Sequence, residues 1–485
     1  MKEIAEIAVD MARTRGAEYA DLRVMEIKRE TLEMQNQVPT QLEFEESQGV
    51  GIRIMVQGCW GFACTGKLDR DAIETAVKKA FENAEAAQRT CRQHMQLAPE
   101  PVHVEAWSTP IHHDPFEIAL EEKLELLDKI YQICHRIRGV KTVIGQMAFE
   151  KRYQVFANTE GSLIEQTLYH SGVGYSVIAS DGNDIQIRSY PNSFGGQWAN
   201  MGYELVYEWP LLEHAERISE EAVALLSAPP CPCKKTDLIL DGSQLALQIH
   251  ESCGHPLELD RVLGYEANFA GTSFLTLDKI GSYRYGSDIV NLYADARPTH
   301  TSGIGTFAFD DEGVAAQRTD LVKEGILVGY LYSRDSASVV GASRSNGCMR
   351  ASSWNRPPII RMTNINLEPG EWSLDELIQD TKDGIYMETN KSWSIDDRRY
   401  NFQFGTEIAW EIKNGKKTRI LKNPTYGGTT PEFWQSCDAI CDQKAWVLWG
   451  LPNCGKGQPL QIIGTSHGAS PARFRNVQVG VAHVG

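Results

Sequence analysis

Apolar residues recur at Ile4, Ile7, Ala8 and Met11 among the charges of residues 1–15, the three-and-four spacing of an amphipathic helix. Residues 21–34 and 41–56 instead alternate, the period of strands with one buried face, and Val56-Gln57-Gly58-Cys59-Trp60 reads as a turn. Helical spacing returns in the Ala-rich segment 69–87. After a connector over 97–115 that holds four prolines, the order repeats: a helix over 115–137, strands near 143–150, 153–158, 162–179 and 185–190, and a helix over 203–226. Two rounds of helix, antiparallel strands and helix make a weak structural repeat. Ala228-Pro229-Pro230-Cys231-Pro232-Cys233 then interrupts the pattern and marks a domain boundary.

Beyond that boundary, 236–241 reads as a strand feeding a helix that starts near Ser243, a residue type suited to a helix cap. Past residue 301, short apolar runs punctuated by Gly, Asn and Pro predict strands at 306–309, 326–332, 359–365, 408–413, 446–450, 460–464 and 477–481, with a helix at 374–382. The pattern as a whole predicts an α+β protein. Residues 1–226 are expected to form a domain of helices on antiparallel strands, and residues 236–485 a mostly antiparallel β domain that carries the helix near Ser243.

Composition narrows the classes. A chain of 485 residues exceeds one ordinary core, and 42% hydrophobic with 23% charged residues is a soluble globular composition. The net charge of −16 argues against direct binding of nucleic acid, whose partners usually carry a basic patch. The charged first helix lacks the apolar stretch of a signal peptide, and no segment approaches the roughly twenty apolar residues of a membrane span. A cytoplasmic protein without a membrane partner is expected, in which the eleven cysteines are mostly buried thiols.

The chemistry concentrates in His250-Glu251-Ser252-Cys253-Gly254-His255. Neutral imidazoles are the usual ligands of catalytic zinc, and a Glu beside them is placed to take a proton from metal-bound water. His250 and His255 are thus candidate metal ligands and Glu251 the candidate general base. The histidines are five apart rather than four, so in a regular helix they would point about 140° apart. A π-type bulge would bring them back to one face, and Gly254 and Pro256 are the permissive and helix-ending residues for such a break. Two partly buried, hydrogen-bonded histidines and a solvated Glu on a plain helix are the alternative.

Catalytic zinc usually takes three protein ligands and leaves a position for water. Candidates for the third are Cys253, Glu258, Asp260, His300, Cys348, Cys437, Cys441, Cys454 and His467. Cys454 leads, because Asn453-Cys454-Gly455-Lys456-Gly457 puts a thiol on a Gly-flanked loop with a lysine nearby to favour thiolate. His467 is the runner-up. Cys437 and Cys441, four apart, would share a helical face as core filler or a separate metal pair.

Four blocks in order resemble the TldD/PmbA family of metallopeptidases, specifically its motif-bearing TldD type. They are Gln248–His255 with Asn268-Phe269-Ala270-Gly271, then Phe307–Gly313, Gly329–Arg334, and Cys454-Gly455-Lys456-Gly457-Gln458. The resemblance implies a zinc peptidase in which His250, His255 and Cys454 hold the metal and Glu251 is the base. It also implies dimers, of the chain with itself or with a PmbA-type subunit lacking the motif, that admit only unfolded or small peptides. Hydrolysis of such peptides by metal-activated water is the expected function. The rivals are a non-catalytic peptide-binding subunit or modulator with a structural metal site, and a metal hydrolase of another amide or ester.

Overall fold

The alternating stretches of the first half become long antiparallel hairpins in the computed structural model, which describes residues 1–91, 94–298 and 302–480. Helix α1 (Lys2–Thr14) leads to β1 (Tyr19–Gln35), β2 (Val38–Val56), β3 (Cys59–Thr65) and α2 (Arg70–Ala87). The second round runs through β4 (Val104–Ser108), α3 (Leu120–Cys134), β5 (Val140–Asn158), β6 (Leu163–Ser180), β7 (Ile185–Tyr190), β8 (Gln197–Ala199), α4 (Glu204–Glu208) and α5 (Leu211–Ser227). Antiparallel pairing of β1 with β5 joins the two hairpins in one sheet of order β3-β2-β1-β5-β6-β4, with β7 and β8 also on β6.

The period-two pattern gives this sheet two distinct faces. Leu22, Val24, Leu32 and Met34 of β1 share one face, in the cores completed by α1 and α2 near one end and by α3 and α5 near the other. The opposite face meets the C-terminal half: Arg23 Nη2 donates to the Arg356 carbonyl at 2.6 Å, and Arg53 pairs with both Asp21 and Glu312. The predicted strands at 143–150 and 153–158 are one strand, β5, because Glu150, Lys151 and Arg152 stay in the ladder as paired polar residues. The predicted 203–226 helix is two, interrupted at Pro210, which lacks an N–H to continue the ladder. The proline-rich connector contains β4, an unpredicted strand parallel to β6.

In the second half, β9 (Lys234–Leu240) feeds α6 (Gly242–Ile249), and α7 (Leu259–Val262) follows. Then come β10 (Leu292–Asp295), β11 (Arg318–Lys323), β12 (Ile326–Leu327), β13 (Met349–Arg350), β14 (Ile359–Ile360), β15 (Ile365–Leu367) and α8 (Leu374–Asp380). The chain ends through β16 (Asp383–Ile395), β17 (Asn401–Lys413), β18 (Lys416–Leu421), β19 (Thr425–Thr429), α9 (Thr430–Gln435), β20 (Cys437–Ile440), β21 (Val447–Lys456), β22 (Gln461–Ala469) and β23 (Ala472–Val479). Strands β16, β9, β23, β19 and β17 pair in that order, and β17 pairs back to β16, so the ring closes. Helix α6 is buried along its whole length, with Leu245 and Ile249 in the same core as Phe402, Phe404, Tyr426 and Phe474.

The expected α+β class, with a largely antiparallel β C-terminal half, is what the chain adopts. Some local expectations fail for identifiable reasons. The cap of α6 is Asp241 rather than Ser243, its carboxylate accepting from Ser243 N–H. Residues 306–309 form no strand because the Gln166 side chain replaces a ladder, accepting from Ala308 and Phe309 N–H and donating to the Phe309 carbonyl. Only Ile326–Leu327 of the 326–332 run is a strand; Leu331 bonds instead to the chain beside the motif, its N–H to the Leu257 carbonyl and its carbonyl to Leu259 N–H. Cys437 and Cys441 share no helix, since the chain there is β20 on β23. Residue 481 of the last predicted strand lies outside the described residues. No helix among the described residues is long and apolar enough to cross a membrane.

Candidate metal centre

Helix α6 ends in a π turn over His250–Gly254, in which His255 N–H donates to the carbonyl of His250, five residues back, followed by a 3-10 turn over His255–Leu257. This is the wider turn that the five-residue spacing requires. Pro256 cannot donate to the Ser252 carbonyl, and the Tyr285 hydroxyl does so instead at 2.8 Å. Gly254 sits at an ordinary helical φ of −57°, so its role is close approach and not permissiveness: a Cβ there would overlap Met362 Sδ. Gln244, Tyr426, Gln248, Ser252 and Trp434 form a buried hydrogen-bonded line beside the helix that holds it in place.

With the turn widened, the ring centroids of His250 and His255 are 4.7 Å apart. Cys454, on β21, completes a cluster: one ligating atom from each of His250, His255 and Cys454 lies within 4.8 Å of the others, all three buried. Cys454 Sγ is 3.6 Å from His255 Nε2. Glu251 is not among these three; its carboxylate accepts from Arg399 Nη1 at 2.6 Å.

The far side of each imidazole is fixed by its own partner. His255 Nδ1 bonds to Glu258 at 3.0 Å, leaving Nε2 toward Cys454. His250 Nδ1 bonds to His467 Nε2 at 2.7 Å, and His467 Nδ1 bonds to the Ile365 carbonyl at 3.1 Å. A carbonyl only accepts, so His467 carries its proton on Nδ1 and accepts at Nε2; His250 therefore donates from Nδ1 and keeps a lone pair on Nε2. Burial pushes His250 down to about 4 and His255 below its ordinary value, which keeps both rings neutral at physiological pH. At Cys454 burial raises the thiol, but Arg361 and His255 outweigh it and the net shift is downward. Against the cost of burial, Lys456, His255 and Arg261 hold the Glu258 carboxyl well below the usual carboxylate range.

Two neutral imidazoles and a thiol disposed to ionise are a donor set suited to zinc. Of the other third-ligand candidates, His467 and Glu258 orient the two histidines, and Asp260 pairs with Lys456 at 2.7 Å. Cys253, Cys348, Cys437 and Cys441 are buried thiols with raised pKa values, and burial is the first cause of each. His300 lies outside the described residues. The Phe307–Gly313 and Gly329–Arg334 blocks bolt the halves together, through Glu312 on Arg53 at 3.2 Å and Arg334 on Glu160 at 2.8 Å. Arg399 and Arg361 were not legible as site residues; Arg399 is one of two adjacent arginines on the β16–β17 turn, where it adopts a positive φ of 62°.

Comparison with known proteins gives the family. The PmbA/TldA metallopeptidase C-terminal domain matches residues 233–481, its domain 1 residues 20–84 and its central domain residues 113–226. A metalloprotease of Methanocaldococcus jannaschii is 29% identical over 92% of this chain and 94% of its own. A zinc metalloprotease TldD homologue of Saccharolobus solfataricus is 20% identical over 89% of this chain and 90% of its own. The crystal structure of TldE from Thermococcus kodakarensis superposes with a TM-score of 0.71 at 16% identity, covering 99% of this chain and 100% of that one. The chain belongs to the PmbA/TldD family of metallopeptidases.

Proposed function

We propose that this protein is a zinc peptidase that cleaves small or unfolded peptides, with His250, His255 and Cys454 as metal ligands and Glu251 as general base. The convergence of those three buried side chains across 204 positions of sequence, from residue 250 to residue 454, is the observation that carries the reading. Held by these residues, zinc would supply Lewis acidity that lowers the pKa of water toward about 7. Glu251 accepts the proton of the attacking water and later returns it to the leaving amine as the C–N bond breaks. Arg399 orients the Glu251 carboxylate through its 2.6 Å contact. Glu258 and His467 hold the two imidazoles in the tautomer that ligation needs. The zinc named for the Saccharolobus relative supports the choice of metal. The active unit in this reading is a dimer, of two copies or with a PmbA-type subunit, and its compartment the cytoplasm.

Glu251→Gln tests the assignment of the base. Zinc content should stay at the wild-type level while turnover of an unfolded substrate such as β-casein falls by about 10²–10⁴-fold, the usual weight of general acid–base catalysis. Undiminished cleavage with zinc in place would remove Glu251 from the reaction.

A further inference from the structure

Where the N-terminal sheet faces the C-terminal half, it leaves a cavity of about 450 Å³ lined by Arg29, Glu150, Arg152 and His170 on one side and by Arg350 and Ile463 on the other. Ile463 is the direct strand partner of Cys454 in the β21–β22 hairpin, so the cavity wall stands one residue pair from the metal cluster. Arg350 is only 9% exposed, yet its guanidinium donates to main-chain carbonyls alone, those of Met362, Gly464 and Ile304 at 3.0, 2.7 and 3.2 Å. Among the described residues no carboxylate lies within ion-pair distance of it. Burial, with Arg361 and Arg152 nearby, pulls it down to about 9.

The other groups facing this space do not supply the missing anion. Glu150 is divided between Arg29 at 2.7 Å and Arg152 at 3.1 Å, with His170 Nδ1 3.8 Å away. Asp311 is taken by Ala351 N–H at 2.7 Å and by Arg23, and Asp310 accepts from the N–H groups of Glu312, Val314 and Met349. Arg152 Nε and His170 Nε2 are buried without a hydrogen-bond partner. Arg350 is thus a buried cation without an anion, which is expensive, beside an unused Arg152 N–H and an unpartnered ring nitrogen of His170. A second, smaller cavity of about 20 Å³, room for a water molecule, shares Arg152, His170 and Arg350 with the first and is lined besides by Gln154, Gln166, Asp310 and Asp311.

We propose that this cavity is a carboxylate subsite, in which an acidic side chain or the chain end of a peptide seats between Arg350, Arg152 and His170. Its carboxylate completes the charge-assisted hydrogen bonds that the protein leaves unmade. The identity of the ligand as a peptide rests on the peptidase reading; the demand for an anion does not.

Calorimetric titration of zinc-loaded, full-length Glu251→Gln protein with three N-acetylated peptides of one sequence tests it. One is amidated with an internal Gln, one amidated with Glu at that position, and one a free acid with Gln. The Glu peptide or the free acid should bind about tenfold or more tighter than the neutral peptide, and whichever does identifies the source of the carboxylate. The advantage should collapse in Arg152→Gln, or in His170→Leu should the first variant melt early. Equal affinity for all three peptides, or a preference that survives in the variants, overturns the subsite. Wild-type protein that shows the preference and cleaves none of the peptides retires the peptidase reading and keeps the subsite; cleavage of all three with equal affinity does the reverse.

Discussion

Cys454→Ala is expected to weaken zinc binding by more than about 100-fold and to take peptidase activity with it. Loss of a partner that merely orients a ligand typically costs about 10–100-fold in metal affinity, and on the proposed reading a ligand itself goes. The loss should be specific, because the main chain around Cys454 is held independently of the thiol: its carbonyl accepts from Arg361 Nη2 at 2.6 Å, and β21 stays paired to β22 on both sides of it. Competition with a chromophoric chelator measures the affinity, and circular dichroism checks that the fold survives. Zinc bound by the variant as tightly as by the parent would exclude the sulfur from the site. The same comparison on His467→Leu separates ligand from orienting residue.

Arg188→Met should destabilise the protein by about 3–5 kcal/mol, the cost of breaking a buried ion pair from one side. Arg188, on β7, is fully buried and contacts three carboxylates, Glu221 at 3.0 Å, Glu407 at 3.0 Å and Glu388 at 2.7 Å. Two of these belong to β16 and β17, so the cluster ties the N-terminal sheet to the closed ring that holds α6. Glu407 suffers most, since it is itself buried and keeps only the N–H and hydroxyl of Ser189 once the guanidinium is gone. Urea unfolding monitored by tryptophan fluorescence reads the loss. Adding Glu407→Gln to Arg188→Met should recover part of it, because the stranded charge goes too. A single variant as stable as the parent would show that the arginine does not bind the halves together.

How far the chain explains itself depends on the range of the interaction. The π turn was legible from the spacing of His250 and His255, because five residues in a straight helix cannot put two rings on one ion. The long hairpins were legible because residues 21–34 and 41–56 alternate. The third member of the cluster was legible only as a ranking, since Cys454 meets the histidines through the β21–β22 hairpin and nothing local to residue 454 records that approach. His467 carried the right chemistry, but its place against His250 Nδ1, and not within the cluster, depends on which ring nitrogen faces Ile365. Gly254 was correctly singled out for the wrong reason: what it provides is room for Met362, a residue more than a hundred positions away. The strand expected at 306–309 failed for the same kind of cause, a side chain from the other half, Gln166, filling the place of a neighbouring strand.

X-ray absorption at the zinc edge of the purified protein tests the central claim most directly. The account predicts two nitrogen scatterers at about 2.0–2.1 Å and one sulfur at about 2.3 Å, with the remaining coordination from light atoms of solvent. A shell without sulfur, or one filled by four protein ligands, would contradict it.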